Sequence, residues 1–328
     1  MKNNLKILFV SSGNTEGFDI TPFIFSQGES LKKIGVQVDN FLIMGNGIRG
    51  YLKNIFRLRK HLKKNKYDII HAHYTLCAWV ALLTWKRNKI VLSILGADLI
   101  GEYRKPGRKK IISPVLYILT KSIQPFVSYI IVKSENVYRH VNVKSKCTII
   151  PNGVDMELFK PADKISARKH TGLSLNKNVI LFLGDPDDPN KNSALARKAY
   201  SLLDTENTEL IIPYPVSHDN IPFYINAADV LILTSLSESS PNVLKEAMAC
   251  NCPIVTTDVG DAKWLTGNTE GCYIADYTPG SFAEELNRAI EFSKTNKKTS
   301  GQQRIRELEL GNLSVAKKIR EIYISILT

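Results

Sequence analysis

The chain has 328 residues, of which 44% are hydrophobic and 23% charged, and its formal net charge is +13. This length and composition predict a globular protein of about two domains and exclude a disordered or collagen-like chain. The five cysteines show no paired spacing, which excludes a disulfide framework and predicts reduced thiols. We expect a cytoplasmic protein, because the N-terminal apolar run resembles a strand more than a signal peptide.

The positive charge is concentrated in the first half of the chain. Residues 1–150 contain 25 lysines and arginines against 8 acidic residues, whereas residues 151–328 contain 19 against 23. A nucleic-acid surface, an anionic membrane surface and a solvated face without function can each produce this asymmetry. No nucleic-acid-binding motif is present, so we expect no nucleic-acid partner. An anionic membrane surface and a plain solvated face both stay open.

The first elements along the chain predict a parallel α/β sheet. Leu5–Ser12 is a buried strand that ends at Gly13, a helix is expected over Pro22–Lys33, and a second strand follows at Val36–Met44. This strand–loop–helix–strand order is typical of a doubly wound fold. A G-x-G-x-x-G motif is absent, which argues against a dinucleotide cofactor.

Two basic segments follow in the first half. Tyr51–Lys66 has helical periodicity, with Leu52, Ile55, Phe56 and Leu62 as the expected apolar stripe and many cations around it. This helix either packs on the sheet with a solvated basic face or contacts anionic lipid headgroups. The second segment, residues 102–110, is expected to be a mobile basic loop.

Polar residues lie at the expected ends of two more strands. The strand Tyr67–Tyr74 ends in His71-x-His73, and the strand that starts at Lys89 leads into the turn with Gly96 and Asp98. A buried histidine satisfied within its own domain and a functional cleft histidine are equally compatible with His73. Asp98 is either a carboxylate that accepts a substrate hydroxyl or an ordinary loop cap.

The turn Pro151-Asn152-Gly153 marks a domain boundary. The second half opens with a strand and the run GDPDDPNKN, which contains Asp185-x-Asp187 and Lys191. Asp185-x-Asp187 superficially resembles a metal-binding D-x-D pair, but it follows the interdomain turn instead of an N-terminal nucleotide-binding unit. We therefore expect no metal site there.

The segment from Thr234 to Asp261 organises the second half. An apolar strand enters a polar loop with Glu238, and a helix is expected to open at Ser240-Pro241-Asn242 with Ser240 as its N-cap. A helix N-terminus after a parallel strand is a ready site for a phosphate. Glu246 lies about two turns inside, where a carboxylate can accept hydrogen bonds from a ribose diol.

Seven residues separate Glu238 from Glu246 within S-x-x-E-S-S-P-N-x-x-x-E-A-M-A-C. This block resembles the E-x7-E signature of family 4 retaining glycosyltransferases. The D-x-I-H-x-H strand, the P-N-G-V-D turn and the N-A-A-D-V strand entry are similar to that family as well. The resemblance implies an α/β GT-B fold, with two Rossmann-like doubly wound domains that face a central cleft. It implies an acceptor domain over residues 1–150, a nucleotide-sugar domain over residues 151–312, and a C-terminal helix at about 313–328 that crosses back to the first domain.

The resemblance also assigns site residues. It implies catalytic roles for Glu238, Lys191 and Asp98, and cleft or acceptor roles for His73, Gly96 and Asp98. Donor-binding roles fall on Gly13, Lys191, Glu238, Ser239, Ser240, Pro241, Asn242 and Glu246. No cofactor and no metal are expected, and the partner is a nucleotide-diphosphate sugar. Two positions depart from the family pattern: Leu95 replaces a histidine, and Asp185 replaces an arginine that would be a second diphosphate-binding cation.

The expected activity is therefore retaining transfer of a sugar, from a UDP-sugar, to a glycan or lipid-linked acceptor in surface polysaccharide synthesis. We expect a cytoplasmic enzyme, and peripheral association with the inner face of the membrane stays open. Two alternatives stay open: a non-catalytic GT-B partner in a polysaccharide assembly complex, and a sugar-nucleotide epimerase.

Overall fold

The computed structural model describes residues 5–14, 20–45, 47–101, 103–105, 108–109, 113–295 and 298–328. The chain divides into two compact units, which are described separately. Unit 1 contains residues 1–101, 110–153 and 312–328, and unit 2 contains residues 102–109 and 154–311. Elements are numbered in chain order across both units.

Unit 1 is built on a six-stranded parallel sheet with the order β2-β1-β3-β4-β7-β8. Its central strands are almost wholly buried, as expected for a parallel sheet that is covered on both faces, whereas its two edge strands are partly exposed. The strands are β1 (Lys6–Ser12), β2 (Gln37–Ile43), β3 (Ile69–His73), β4 (Lys89–Ile94), β7 (Tyr129–Val132) and β8 (Cys147–Ile149). The helices are α1 (Pro22–Lys33), α2 (Gly47–Lys64), α3 (Thr75–Leu82), α4 (Ala97–Ile100), α5 (Ser113–Ile123), α6 (Glu135–Tyr138) and α14 (Asn312–Ser325).

Alternate residues of the central strands supply two cores in unit 1. Leu8 and Val10 of β1 face the side covered by α2, α3 and α5. Ile7 and Phe9 face the opposite side, which α1 and α14 cover. This alternation is the period of two that a strand imposes on its side chains.

Unit 2 has a five-stranded parallel sheet with the order β10-β9-β11-β12-β13. Its strands are β9 (Asn178–Phe182), β10 (Thr208–Ile211), β11 (Val230–Leu233), β12 (Ile254–Thr257) and β13 (Cys272–Ala275). Helices lie on both faces of the sheet. They are α7 (Lys164–Thr171), α8 (Ser193–Tyr200), α9 (Ile221–Ala227), α10 (Asn242–Ala249), α11 (Ala262–Thr266), α12 (Pro279–Lys294) and α13 (Gly301–Glu307).

The basic helix differs from the sequence prediction in both position and face. It spans Gly47–Lys64, four residues further upstream than expected, and its buried residues include Ile55, Leu58 and Leu62. Leu52 and Phe56, predicted to lie in the buried stripe, are 51% and 71% exposed. The prediction failed because apolar residues occur on two sides of this helix, and hydrophobic periodicity alone does not tell which side meets the sheet.

The structure also defines two other segments. Within residues 102–110, expected to be a mobile loop, β5 (Tyr103–Lys105) and β6 (Arg108–Lys109) pair as an antiparallel hairpin that groups with unit 2. The C-terminal helix begins at Asn312, and its side chain donates to Ser26 Oγ at 2.6 Å within unit 1. Among the described residues, no helix is long and apolar enough to cross a bilayer.

Candidate functional site

The glutamate block folds at the carboxyl edge of the unit 2 sheet. The strands β9, β11 and β12 are neighbours, so the loops that follow them meet at one edge. These loops carry Lys191, Glu238 and Asp261 respectively. In open parallel sheets this edge is where ligands bind, because loops from adjacent strands converge there.

Hydrogen bonds join the loop after β9 to the loop after β11. The backbone N–H of Leu236 donates to the Asn190 carbonyl at 2.8 Å, and Asn190 Nδ2 donates to the Ser237 carbonyl at 2.8 Å. The Thr234 hydroxyl donates to the carbonyl of Lys191 at 2.8 Å. These contacts fix the backbone that carries Lys191 against the backbone that leads to Glu238.

Lys191 and Glu238 form an ion pair. Lys191 Nζ lies 2.6 Å from Glu238 Oε1, with 29% and 18% of the two side chains exposed. The side chain of Lys191 also runs close to Gly184, where an added Cβ would lie 3.4 Å from Lys191 Cγ. The pair therefore places one cation and one carboxylate together at the carboxyl ends of β9 and β11.

The N-terminus of α10 lies next to this pair. The helix begins at Asn242 with Pro241 in the N-cap position, and Pro241 provides no side-chain cap. The prediction of Ser240 as N-cap is therefore wrong. Ser240 Oγ instead lies 3.2 Å from Lys245 Nζ. A helix N-terminus carries a partial positive charge that suits an anion.

Gly260 allows the loop after β12 to approach the loop after β11. Its φ is +63°, and an added Cβ would lie 2.6 Å from the Ser239 carbonyl oxygen. The Thr257 hydroxyl donates to the Ser235 carbonyl at 3.1 Å. Only glycine fits both the backbone conformation and the space at residue 260. Ser239, 7% exposed, is held by this packing.

A buried lysine lies beneath the donor loop, which we define as Glu238–Asn242. Lys245 is fully buried, and its Nζ lies 3.4 Å from the Ser240 carbonyl oxygen. Burial lowers the pKa of Lys245 to about 8, opposed by the charges of Asp261, Glu246 and Glu238. Burial raises the pKa of Asp261 to about 6, opposed first by Lys245. The ammonium of Lys245 and the carboxylate of Asp261 therefore each favour the ionised form of the other.

Glu246 lies on α10 with 15% of its side chain exposed. Burial raises its pKa to about 7, opposed by the charge of Lys245. His218 Nε2 lies 3.9 Å from Glu246 Oε1. The His218 ring packs edge-on against Phe159, with 5.5 Å between the ring centroids. Burial lowers the pKa of His218. A carboxylate in this position can accept hydrogen bonds from a diol, and such bonds favour its ionised form.

Lys245, Asp261 and His218 were not predicted as site residues from the sequence. A signal for Lys245 was present, because a lysine interrupts the apolar helix next to Glu246. Asp261 and His218 gave no such signal, since single polar residues in loops are common. The loop after β9 places Asp185 in a turn, where its Oδ1 accepts from the Asp187 backbone N–H at 2.9 Å. Within the described residues, no group of three or more His, Cys, Asp or Glu side chains is arranged to hold a metal.

Four predicted site residues belong to unit 1. Gly13 donates its backbone N–H to the Ile43 carbonyl at 3.0 Å, and an added Cβ would lie 2.5 Å from Met44 Sδ. His73 is 1% exposed and stacks on His71 with 4.3 Å between ring centroids. Burial, and then the charge of Lys133, lowers the pKa of His73 well below its usual value. Neither ring nitrogen of His73 has a hydrogen-bond partner among the described residues. His73 is thus a neutral imidazole with unused hydrogen-bonding capacity.

The Asp98 carboxylate holds local backbone in place. It is fully buried and accepts from the Gly96 N–H at 3.0 Å, from the Thr75 N–H at 3.2 Å and from the Thr75 hydroxyl at 3.0 Å. Gly96 adopts a φ of +123°, which favours glycine. These contacts tie the Gly96 turn to the start of α3. They are contacts of a positioning residue, and a role of Asp98 toward an acceptor stays a prediction.

The sequence profile described as Glycosyltransferase Family 4 matches residues 15–158, and the profile described as Glycosyl transferases group 1 matches residues 174–291. The chain belongs to glycosyltransferase family 4. The family predicted from the glutamate block is therefore confirmed.

Solved structures show that this family 4 chain has the GT-B fold. Sucrose-phosphate synthase from Thermosynechococcus elongatus superposes with a TM-score of 0.83 at 17% identity, covering 98% of this chain and 99% of that one. HepE from Anabaena in complex with UDP-glucose gives 0.73 at 18% identity, covering 98% and 100%. The UDP-GlcNAc 2-epimerase from Methanocaldococcus jannaschii gives 0.60 at 11% identity, covering 98% and 100%. At these identities the likeness concerns the fold.

Curated relatives of this family 4 chain are similar over part of their length. D-inositol 3-phosphate glycosyltransferase 2 from Catenulispora acidiphila is 23% identical over 71% of this chain and 65% of that protein. D-inositol 3-phosphate glycosyltransferase from Mycolicibacterium vanbaalenii is 25% identical over 67% of this chain and 59% of that protein. The chain therefore spans less than two thirds of the length of these relatives.

Proposed function

We propose that this protein is a retaining glycosyltransferase that moves a sugar from a nucleotide-diphosphate sugar, namely a UDP-sugar, to a glycan or lipid-linked acceptor. The observation that carries this proposal is the Lys191–Glu238 ion pair, 2.6 Å long, beside the N-terminus of α10. A cation and helix amides suit a diphosphate, and two carboxylates suit the hydroxyls of the two sugars that flank it. HepE, which has the same fold, was solved with UDP-glucose.

Each group has a defined task in this proposal. Lys191 and the amides at the start of α10 bind the diphosphate, and Glu246 accepts the ribose hydroxyls. Glu238 and the Ser239–Ser240 backbone bind hydroxyls of the donor sugar. Because the ammonium of Lys191 contacts Glu238, a bound diphosphate must share or replace that contact. Glu238 then becomes available to the sugar as the donor enters.

Sugar transfer in this site proceeds by same-face substitution. The bond between the anomeric carbon and the diphosphate oxygen breaks, and the acceptor oxygen forms its bond to the same face of that carbon. The acceptor proton passes to the departing phosphate. Lys191 and the helix amides stabilise the negative charge that develops on the diphosphate, which is usually a large part of catalysis. We expect no metal requirement, because these groups supply the neutralisation.

A thermal-shift panel with UDP-glucose, GDP-mannose and ADP-glucose, with and without EDTA, tests the donor site. A ligand of the folded state raises the melting temperature by mass action. The expected result is an EDTA-insensitive shift with the UDP-sugar, lost in Glu246→Ala and kept in Glu284→Ala, a matched change of an exposed glutamate on α12. A shift that requires metal would contradict the proposed neutralisation by Lys191 and the helix.

Turnover separates the proposed function from its alternatives. Incubation with the UDP-sugar and an acceptor-containing cell extract should release UDP and yield a product with the donor's anomeric configuration by NMR. Glu238→Ala should stop release while leaving the fold intact. Donor binding without any UDP release would instead favour a non-catalytic assembly partner. Conversion of the sugar while it remains attached to UDP would favour an epimerase.

A further inference from the structure

We infer that α2 of unit 1 is a docking surface for an anionic lipid bilayer, with an apolar stripe that inserts and a cationic cleft that binds lipid phosphates. This inference concerns a surface of unit 1, and it stands independently of the proposed transfer reaction. It rests on which face of α2 the structure leaves exposed, a point that the sequence left open.

The apolar stripe consists of Ile48, Leu52 and Phe56. These residues are 79%, 51% and 71% exposed, although each is large and hydrophobic. They are four residues apart on a helix, so they form one line of about 12 Å on the surface. The buried side of the same helix carries Leu58 and Leu62, so this stripe is additional to the residues that hold the helix on the sheet.

A cationic row runs beside the apolar stripe. Arg49, Lys53 and Arg57 each follow a stripe residue by one position, and all three are exposed. With Met44, Gly45 and Gly50, they line a cleft of about 390 Å³. From residue 47 to residue 64 the chain contains no aspartate or glutamate. The cleft is thus positively charged without a nearby counter-charge on α2.

Trp85 extends this surface beyond the helix. It is 71% exposed in the turn after α3, and the guanidinium of Arg59 lies 5.8 Å from its ring centroid. Tryptophan favours the boundary between lipid and water, where its ring meets acyl chains and its N–H meets headgroups. Lys86 and Arg87 follow it directly in the sequence. Arg59 lies three residues after Phe56 on α2, so Trp85 adjoins the end of the apolar stripe.

The combination of exposed apolar and cationic side chains on α2 favours an anionic bilayer as the partner. A nucleic acid would use the cations but gives no reason for an exposed aliphatic stripe, and a protein partner would need acidic complementarity to the whole row. A bilayer that contains anionic lipids satisfies both parts, since headgroup phosphates meet the cations and the acyl boundary accepts the apolar side chains. Attraction by the cations and insertion of the stripe are two separable contributions to the free energy of bilayer binding.

Co-sedimentation of the full-length protein with vesicles tests the inference. We expect binding to vesicles of 30% phosphatidylglycerol in phosphatidylcholine and none to pure phosphatidylcholine. Arg49→Gln with Lys53→Gln should weaken binding about 30-fold, from roughly fivefold per cation at such a surface. Arg57 is left unchanged, because it bonds to Asn54 and contacts Phe41. The matched control is Arg197→Gln with Lys198→Gln, an exposed pair on α8 of unit 2.

A second pair of variants tests the apolar stripe. Leu52→Ser with Phe56→Ser should weaken vesicle binding about tenfold or more, since both side chains lose their contact with acyl chains. The control is Leu202→Ser with Phe223→Ser, which are 59% and 41% exposed in unit 2. Donor binding, measured by thermal shift with UDP-glucose, should be unchanged in all four variants.

Several results would overturn the inference. Equal binding of the α2 variants and their controls would do so, as would binding to neutral vesicles that salt does not affect. Duplex DNA that displaces the vesicles at equal charge would point to a nucleic-acid surface instead. Concentration-dependent dimers in gel filtration that disappear in Leu52→Ser with Phe56→Ser would show that a second copy covers the stripe.

Discussion

Replacing Glu246 by glutamine should stabilise the protein at alkaline pH while it removes donor binding. Burial raises the pKa of Glu246 to about 7, whereas an unfolded glutamate titrates near its ordinary value. A carboxyl group with a raised pKa in the folded state favours folding only in its protonated form, because burial penalises its ionised form. Its contribution is therefore present at acid pH and is lost as the pH rises through about 7.

The magnitude follows from the size of this shift. A displacement from 4.5 to about 7 corresponds to a penalty of about 3 kcal/mol at pH 8 and less than about 1 kcal/mol at pH 5. Glutamine carries no charge and avoids this penalty. The advantage of Glu246→Gln over the wild type should therefore grow by about 2.5 kcal/mol between pH 5 and pH 8. For a unit of this size, that is a difference in Tm of roughly 5–10 °C.

Differential scanning calorimetry at pH 5, 6, 7 and 8 measures this growth. Glu284→Gln, the same substitution at an exposed site on α12, is the matched control and should show a constant difference from the wild type. A constant Tm difference for Glu246→Gln across the series would refute the argument, because it would mean that burial does not penalise this carboxylate. Loss of the UDP-glucose thermal shift in the same variant would tie the penalty to donor binding.

Three further changes test the site of unit 2. Lys191→Met should lower kcat/KM for sugar transfer by about 100-fold or more, because no lysine then stabilises the negative charge on the departing diphosphate. An unchanged kcat/KM would show that Lys191 has no part in catalysis. A double-mutant cycle of Lys245→Met and Asp261→Asn, measured by urea unfolding, should show a coupling of about 1 kcal/mol, because each charge favours the ionised form of the other. Additive losses in that double-mutant cycle would show that the two charges do not interact. Gly260→Ala should weaken UDP-glucose binding and lower Tm, since its Cβ would clash with the donor loop; a variant that binds and melts like the wild type would contradict this contact.

The sequence alone determined the fold class, because the fold class depends on local patterns of apolar and polar residues. Continuous apolar runs separated by helical segments predict parallel sheets covered on both faces, and the structure has two such sheets. Helix α1 has the predicted bounds Pro22–Lys33, since proline marks its start and a glycine follows its end. Glu238, Glu246 and the residues around them predicted the family, because they lie in one continuous segment. These features need no information about distant parts of the chain.

Tertiary structure decided how the segments meet. Lys191 and Glu238 are 47 positions apart in the sequence. Their loops meet only because β9 and β11 are neighbours in the sheet. The burial of Lys245 and its electrostatic interaction with Asp261 could not be predicted, since either residue alone suits a solvated surface. The face of α2 that meets solvent was equally open, because both sides of the helix carry apolar residues. Strand order and packing, which are set by contacts between distant segments, selected one arrangement in each case.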